Sequence, residues 1–203
     1  VSDIYLNSTL PQPEIEKEKG VICDEISMYQ DLPMRSVHDI LAQLMYSDQQ
    51  PAGRSILGTA QTVRSFTRSD FITYHQKHYT PERTTLVVAG NIDARQVRKD
   101  IRSIFQEALS GKNPKRQKNK PVCSGPQYSI QYKQTDQTHI ALAFRTIARD
   151  HADRVALNVL AAVLGMGMSS RLFDRLREQM GVGYYVRAYH DTFADGGSLE
   201  ITT

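Results

Sequence analysis

The residues most able to do chemistry lie near the start of the chain, in the acidic stretch Glu14 to Glu25. Ile15, Ile22, Ile26 and Tyr29 recur at steps of 7, 4 and 3, the pattern of one largely apolar helical seam. On that helix Glu18 and Glu25 project within roughly 20° of each other, beside the seam. They lie about 10.5 Å apart along the axis, too far for both to ligate one ion. One carboxylate could bind a metal while the other orients a group or holds a substrate amine. The alternative is a solvated acidic face paired with Lys17, Lys19 or a neighbouring helix. Cys23 points about 200° away from Glu25 and reads as a buried thiol. His75 and His78, at i and i+3 near a helix end, read as surface residues rather than a zinc pair.

The elements that must position these groups follow from periodicity and punctuation. A second helix is expected from about Met34 to Tyr46, then a loop marked by Pro51, Gly53 and Gly58. Thr67 to Asp70 has the spacing of a capping box, with Asp in place of Glu, and opens a helix. Thr84 to Ala89 is β-branched and apolar, the pattern of a buried strand. Asp93 caps a helix whose Val97, Ile101, Ile104, Phe105 and Ala108 share one face. Strands are expected at about Tyr128–Lys133 and Thr138–Phe144. A helix from Asp153 to Leu164 ends at Gly165, and another, capped by Ser169 or Ser170, runs to Met180. Strands at Tyr184–His190 and Ser198–Thr203 complete the pattern. Helices grouped between strands point to an α+β fold, with helices layered on a mostly antiparallel sheet.

Composition excludes several classes. The 203 residues are 40% hydrophobic and 23% charged, ordinary globular usage, so collagen-like and wholly disordered chains are ruled out. No apolar run reaches the roughly 20 residues of a membrane-spanning helix. Two cysteines a hundred positions apart exclude a disulfide scaffold and fit a reducing compartment; cytoplasm, periplasm and mitochondrion all stay open. The net charge of +3 includes five basic residues between Lys112 and Lys120, and removing those leaves −2. With Gly111, Pro114, Pro121, Gly125 and Pro126 around them, these basic residues read as an exposed linker. No aromatic residue interleaves the charges, so nucleic acid is not expected as a partner. Val1 in place of Met and a last strand that stops in mid-pattern suggest an internal fragment of a longer protein.

Glu18-Lys-Gly-Val-Ile-Cys-Asp-Glu25-Ile-Ser-Met-Tyr29, followed by Asp31-Leu-Pro33, resembles the M16 metallopeptidases, the family of pitrilysin, insulysin and mitochondrial processing peptidase. Further matches follow in order: Pro51-Ala-Gly-Arg54, Phe66-Thr-Arg-Ser-Asp-Phe71, His78-Tyr79-Thr-Pro81, Val87-Val-Ala-Gly-Asn91, Gly167-Met-Ser169-Ser-Arg171-Leu-Phe173 and Leu176-Arg177 through Tyr184. The resemblance covers essentially the whole chain and is nearest in style to small bacterial members with two similar α+β domains of the M16/LuxS-like fold. It implies the end of a zinc-binding domain over 1–109, a basic linker over 110–127 and the start of a second domain over 128–203, both incomplete.

The resemblance implies a zinc-dependent endopeptidase, with Zn²⁺ held by two histidines of an inverted His-x-x-Glu-His motif and a distant glutamate. That glutamate matches Glu25, and Glu18 matches a glutamate supporting catalysis from outside the ligand set. Arg177 and Tyr184 match a pair presented to substrate; guanidinium and phenol can both donate to a peptide carbonyl as charge develops on it. The other reading of that pair is structural, a cation in a helix's last turn and a tyrosine opening a strand. None of the six histidines, His38, His75, His78, His139, His151 and His190, has the inverted-motif neighbourhood. The implied partners are a peptide or unfolded protein substrate and a second copy or an M16 homologue in a dimer. The competing reading is a noncatalytic partner subunit of the same family.

Overall fold

The computed structural model describes residues 1–106, 117–120 and 125–203 and divides into two compact units. One comprises Val1–Asp24 with Thr59–Arg116, the other Glu25–Gly58 with Gln117–Thr203. The fold class is α+β, as the pattern of elements indicates.

The first unit holds α1 (Ser2–Leu6), the beginning of α2 (Gln12–Asp31), α4 (Ala60–Ser65), α5 (Arg68–His78) and α6 (Ala94–Phe105). Its core gathers the expected seam residue Ile15 with Cys23 and Val63, all buried. Cys23 is a buried thiol, its Sγ 4.0 Å from the Ala60 carbonyl oxygen. Tyr5 packs its ring 5.4 Å from that of Tyr79 and 5.8 Å from that of Phe105. The capping box at α5 forms: the Thr67 side chain accepts from Asp70 N–H while Asp70 accepts from Thr67 N–H at 2.7 Å. The Thr67 hydroxyl, which donates to Asp70 Oδ2 at 2.7 Å, and the Thr67 N–H hold the Asp70 carboxyl below the usual carboxylate range. Asp93 likewise caps α6, accepting from Arg95 and Gln96 N–H.

Two expected strands are corrected. Thr84–Ala89 forms no ladder among the described residues, and Val87 is 79% exposed. Tyr128–Lys133 is likewise outside the sheet, with Tyr128, Ile130 and Tyr132 exposed. β-Branched and aromatic composition fits a pleated, half-buried surface, but it does not supply the neighbouring strand that buries it.

The second unit contains the remainder of α2 and α3 (Pro33–Tyr46). Its strands are β1 (Ala141–Thr146), β2 (Arg187–Thr192) and β3 (Gly197–Thr202); α7 spans Arg154–Gly165, and α8 comprises Arg171–Phe173 continued by Asp174–Gln179. The sheet order is β1–β3–β2, both pairings antiparallel, with Thr202 opposite Ala141 on one side and Arg187 on the other. The strands begin three residues later than expected for β1 and β2, because pairing with β3 sets their limits. Ser170 sits at the start of α8 but does not cap it; its hydroxyl donates backward to the Gly167 carbonyl at 2.7 Å.

Helix α7 packs on β2 through residues small enough for close approach, Ala161, Gly165 and Ala188, all buried. A Cβ placed on Gly165 would lie 2.3 Å from Ala188 N and 2.8 Å from Arg187 C, both backbone atoms. Gly165→Ala is therefore expected to destabilise the protein by about 1–3 kcal/mol, read as a lower thermal midpoint in a melting experiment. An unchanged midpoint would contradict this packing.

Helix α3 meets the sheet through a polar network. Glu200 accepts from Tyr189 Oη at 2.6 Å and Ser198 Oγ at 2.7 Å, and lies 3.7 Å from His38 Nδ1. Burial opposes ionisation of Glu200, but the contacts from His38, Tyr189 and Ser198 win and hold its carboxyl below the usual range. Burial and the Glu200 carboxylate push the Tyr189 phenol well up. No helix among the described residues is long and apolar enough to cross a membrane.

Candidate functional site

Helix α2 carries both singled-out glutamates. Pro13 and Glu14 sit in its first turn, where a missing amide N–H costs nothing and a negative charge offsets the exposed donors. Ile15 and Ile26 are buried along the seam, leaving Glu18 exposed and Glu25 half-buried at its margin. The two lysines that could have neutralised this edge are otherwise engaged. Lys17 lies 3.9 Å from Glu14, and Lys19 lies 2.8 Å from Glu16, holding the Glu16 carboxyl below its ordinary value. Among the described residues Glu18 and Glu25 make no hydrogen bond or ion pair. A half-buried carboxylate without a donor is a group whose oxygens remain available to an outside cation or donor.

Glu25 suits one oxygen position of a zinc ion, a hard ligand that completes nitrogen-rich sites. It does not make a site by itself. No group of three His, Cys, Asp or Glu side chains that could hold a metal is present among the described residues. The histidines nearest to a metal-binding spacing are used otherwise. His75 Nε2 donates to the Tyr5 carbonyl at 3.0 Å and its ring stacks on Tyr79. His78 stacks on Tyr74, and its Nδ1 accepts from Arg83 at 2.6 Å. Loss of water and the Arg83 and Lys77 charges hold the His78 imidazole below its ordinary range.

Arg177 and Tyr184 lie on either side of a tight reversal. Arg177 occupies α8 where the winding widens, its guanidinium 4.9 Å from the Phe173 ring centre and 3.8 Å from Glu178. Gly181 adopts φ +64, a conformation open to glycine at no steric cost. Gly183 admits Thr203 Oγ1 to 2.8 Å of where a Cβ would stand. Tyr184 precedes β2 rather than opening it, and is 86% exposed. The next residue is anchored: Tyr185 accepts from Thr203 Oγ1 at 2.9 Å through its carbonyl and lies 3.0 Å from His139 Nδ1 through its hydroxyl. Tyr184 presents an exposed phenol on an anchored segment and Arg177 an exposed guanidinium, and each can donate to a ligand. No hydrogen bond or ion pair joins Glu18, Glu25, Arg177 and Tyr184 to one another among the described residues.

The His38–Tyr189–Glu200 network escaped sequence reasoning, because its members come from three elements and lie up to 162 positions apart by residue number. The signal that could have raised it is Glu200 itself, a charged residue inside an alternating terminal strand.

The description "Peptidase M16 inactive domain" matches residues 65–203, and the chain belongs to the M16 peptidase family. It is 35% identical over 204 residues to an uncharacterized zinc protease of Mycobacterium leprae, covering 99% of this chain and 46% of that protein. It is 36% identical over 201 residues to the uncharacterized zinc protease YmxG of Bacillus subtilis, with 99% and 48% covered. Its fold is similar to the crystal structure of a peptidase M16 inactive domain from Pseudomonas fluorescens, with a TM-score of 0.83, 18% identity, and 99% and 48% of the two chains covered. The chain thus spans about half the length of the curated relatives it matches.

Proposed function

We propose that this chain supplies one zinc ligand and the peptide-holding side chains of a zinc-dependent endopeptidase of the inverted His-x-x-Glu-His type. The observation that carries the reading is the free carboxylate edge of α2, where Lys17 and Lys19 are paired elsewhere and Glu25 stays half-buried. The naming of the Mycobacterium and Bacillus relatives as zinc proteases supports it. In this reading residues 1–109 belong to the zinc-binding domain, 110–127 to a basic linker and 128–203 to a second domain. Glu25 donates a carboxylate oxygen to the metal, whose two imidazole ligands lie outside this chain. Bound zinc supplies Lewis-acid polarisation and lowers the pKa of water.

The chain's own residues then act on the substrate. Arg177 and Tyr184 donate to a backbone carbonyl of an extended peptide, holding it where negative charge develops. Glu18, outside the ligand set, accepts from and orients a neighbouring donor. A peptide or unfolded segment is the substrate, in a homodimer or beside an M16 homologue. The full natural protein should cleave an unstructured peptide, stop on zinc chelation and recover when zinc is restored. A zinc-loaded protein that binds peptide without cleaving it would instead identify a noncatalytic partner subunit, the reading that the matched domain's description as inactive favours.

A further inference from the structure

The helix that carries Arg177 changes its winding three residues before it, at Asp174. After a single α-helical turn at Arg171–Phe173, Asp174–Gln179 is wound as a π-helix, closed by i→i+5 bonds. Met180 N–H donates across five residues to the Arg175 carbonyl at 3.2 Å, and past the helix end Val182 N–H reaches back six residues to the Leu176 carbonyl at 3.0 Å. Such winding is rare, usually a single widened turn, and frequent at functional sites.

A side-chain bracket spans this widened turn. Gln179 Nε2 donates to Asp174 Oδ2 at 2.8 Å, while Arg175 donates to Gln179 Oε1 at 2.7 Å. The second contact orients the amide so that its nitrogen faces Asp174. In an α-helix, residues five apart stand about 140° apart around the axis, on opposed faces. The wider turn brings them back toward one face, so the Asp174–Gln179 bond selects π over α winding. Arg177 lies within the bracketed turn, over the Phe173 ring.

We infer that Asp174 and Gln179 are positioning residues, a bracket that holds the π turn and so sets the direction in which Arg177 meets a peptide carbonyl. The inference rests on the proposed role of Arg177 toward substrate. With the bracket opened, the segment relaxes toward α winding and the Arg177 guanidinium turns away from its place on Phe173. Both bracket residues are exposed, so their replacement leaves the core intact.

The test uses the full natural protein with Gln179→Glu, which sets a carboxylate against Asp174, and with the exchanged pair Asp174→Asn/Gln179→Glu. In the exchanged pair an amide again faces a carboxylate, with donor and acceptor reversed. The Arg177 Nε–H resonance reports its position over the Phe173 ring by NMR without any substrate. Gln179→Glu should move that resonance and lower kcat about 3- to 10-fold, the size of one net hydrogen bond, with zinc content and KM unchanged. The exchanged pair should restore both. An unmoved resonance in Gln179→Glu, or no recovery in the exchanged pair, would overturn the bracket. A moved resonance with kcat untouched would overturn its service to catalysis by removing the role of Arg177 on which it rests.

Discussion

Glu25→Gln in the full natural protein is expected to lose zinc and peptide hydrolysis together. The substitution keeps the shape and half-buried setting of the side chain but replaces an anionic oxygen donor with a neutral amide. Outer groups around a metal usually change affinity or activity by about 10- to 100-fold. A group bonded to the ion should exceed that range, so the loss in zinc affinity is set at more than about 100-fold, read by competition against a chelating dye. Because Glu25 has no protein partner among the described residues, the change breaks no internal hydrogen bond. The thermal midpoint of the zinc-free protein should therefore stay where it was, which separates lost coordination from lost folding.

Glu18→Gln is expected to give the contrasting result: activity lower by about 10- to 100-fold, with zinc retained. Glu18 is exposed, seven residues before Glu25 on the same helix, too distant along the axis to share its ion. Zinc analysis beside a peptide-hydrolysis assay checks the split directly. If Glu18→Gln loses metal as Glu25→Gln does, the assignment of one ligand and one supporting carboxylate is wrong. If it stays fully active, Glu18 belongs to the solvated face of the helix and nothing more.

What could be read from the sequence was local. Thr67 and Asp70 lie three residues apart and cap α5, and Asp93 caps α6, because capping depends only on nearby backbone donors. The seam residues Ile15 and Ile26 are buried because helical periodicity already states which face turns inward. The illegible features depend on partners distant in the chain. Thr84–Ala89 has the composition of a buried strand, yet a strand needs a neighbour that composition cannot name. Glu200 in β3 draws on His38 from α3, and a charged residue in an alternating strand signals a partner without naming one so distant in the chain.

The candidate site divides along the same line. The shared helix of Glu18 and Glu25 was legible from a spacing of seven, but the engagement of Lys17 and Lys19 by Glu14 and Glu16 was not. The helical character of Asp174–Gln179 was legible, whereas its winding was not. Apolar periodicity is too coarse to separate α from π turns, and the choice here coincides with one hydrogen bond between Asp174 and Gln179.

The central claim is that the carboxylate at position 25 is bonded to the metal. X-ray absorption at the zinc edge of the loaded full protein tests it most directly, by comparing wild type with Glu25→Gln at matched zinc. Wild type should show imidazole nitrogens at about 2.0–2.1 Å with a carboxylate oxygen at about 2.0–2.2 Å, and the variant should lose that oxygen. An identical ligand shell in both proteins, with zinc held equally tightly, would contradict the account.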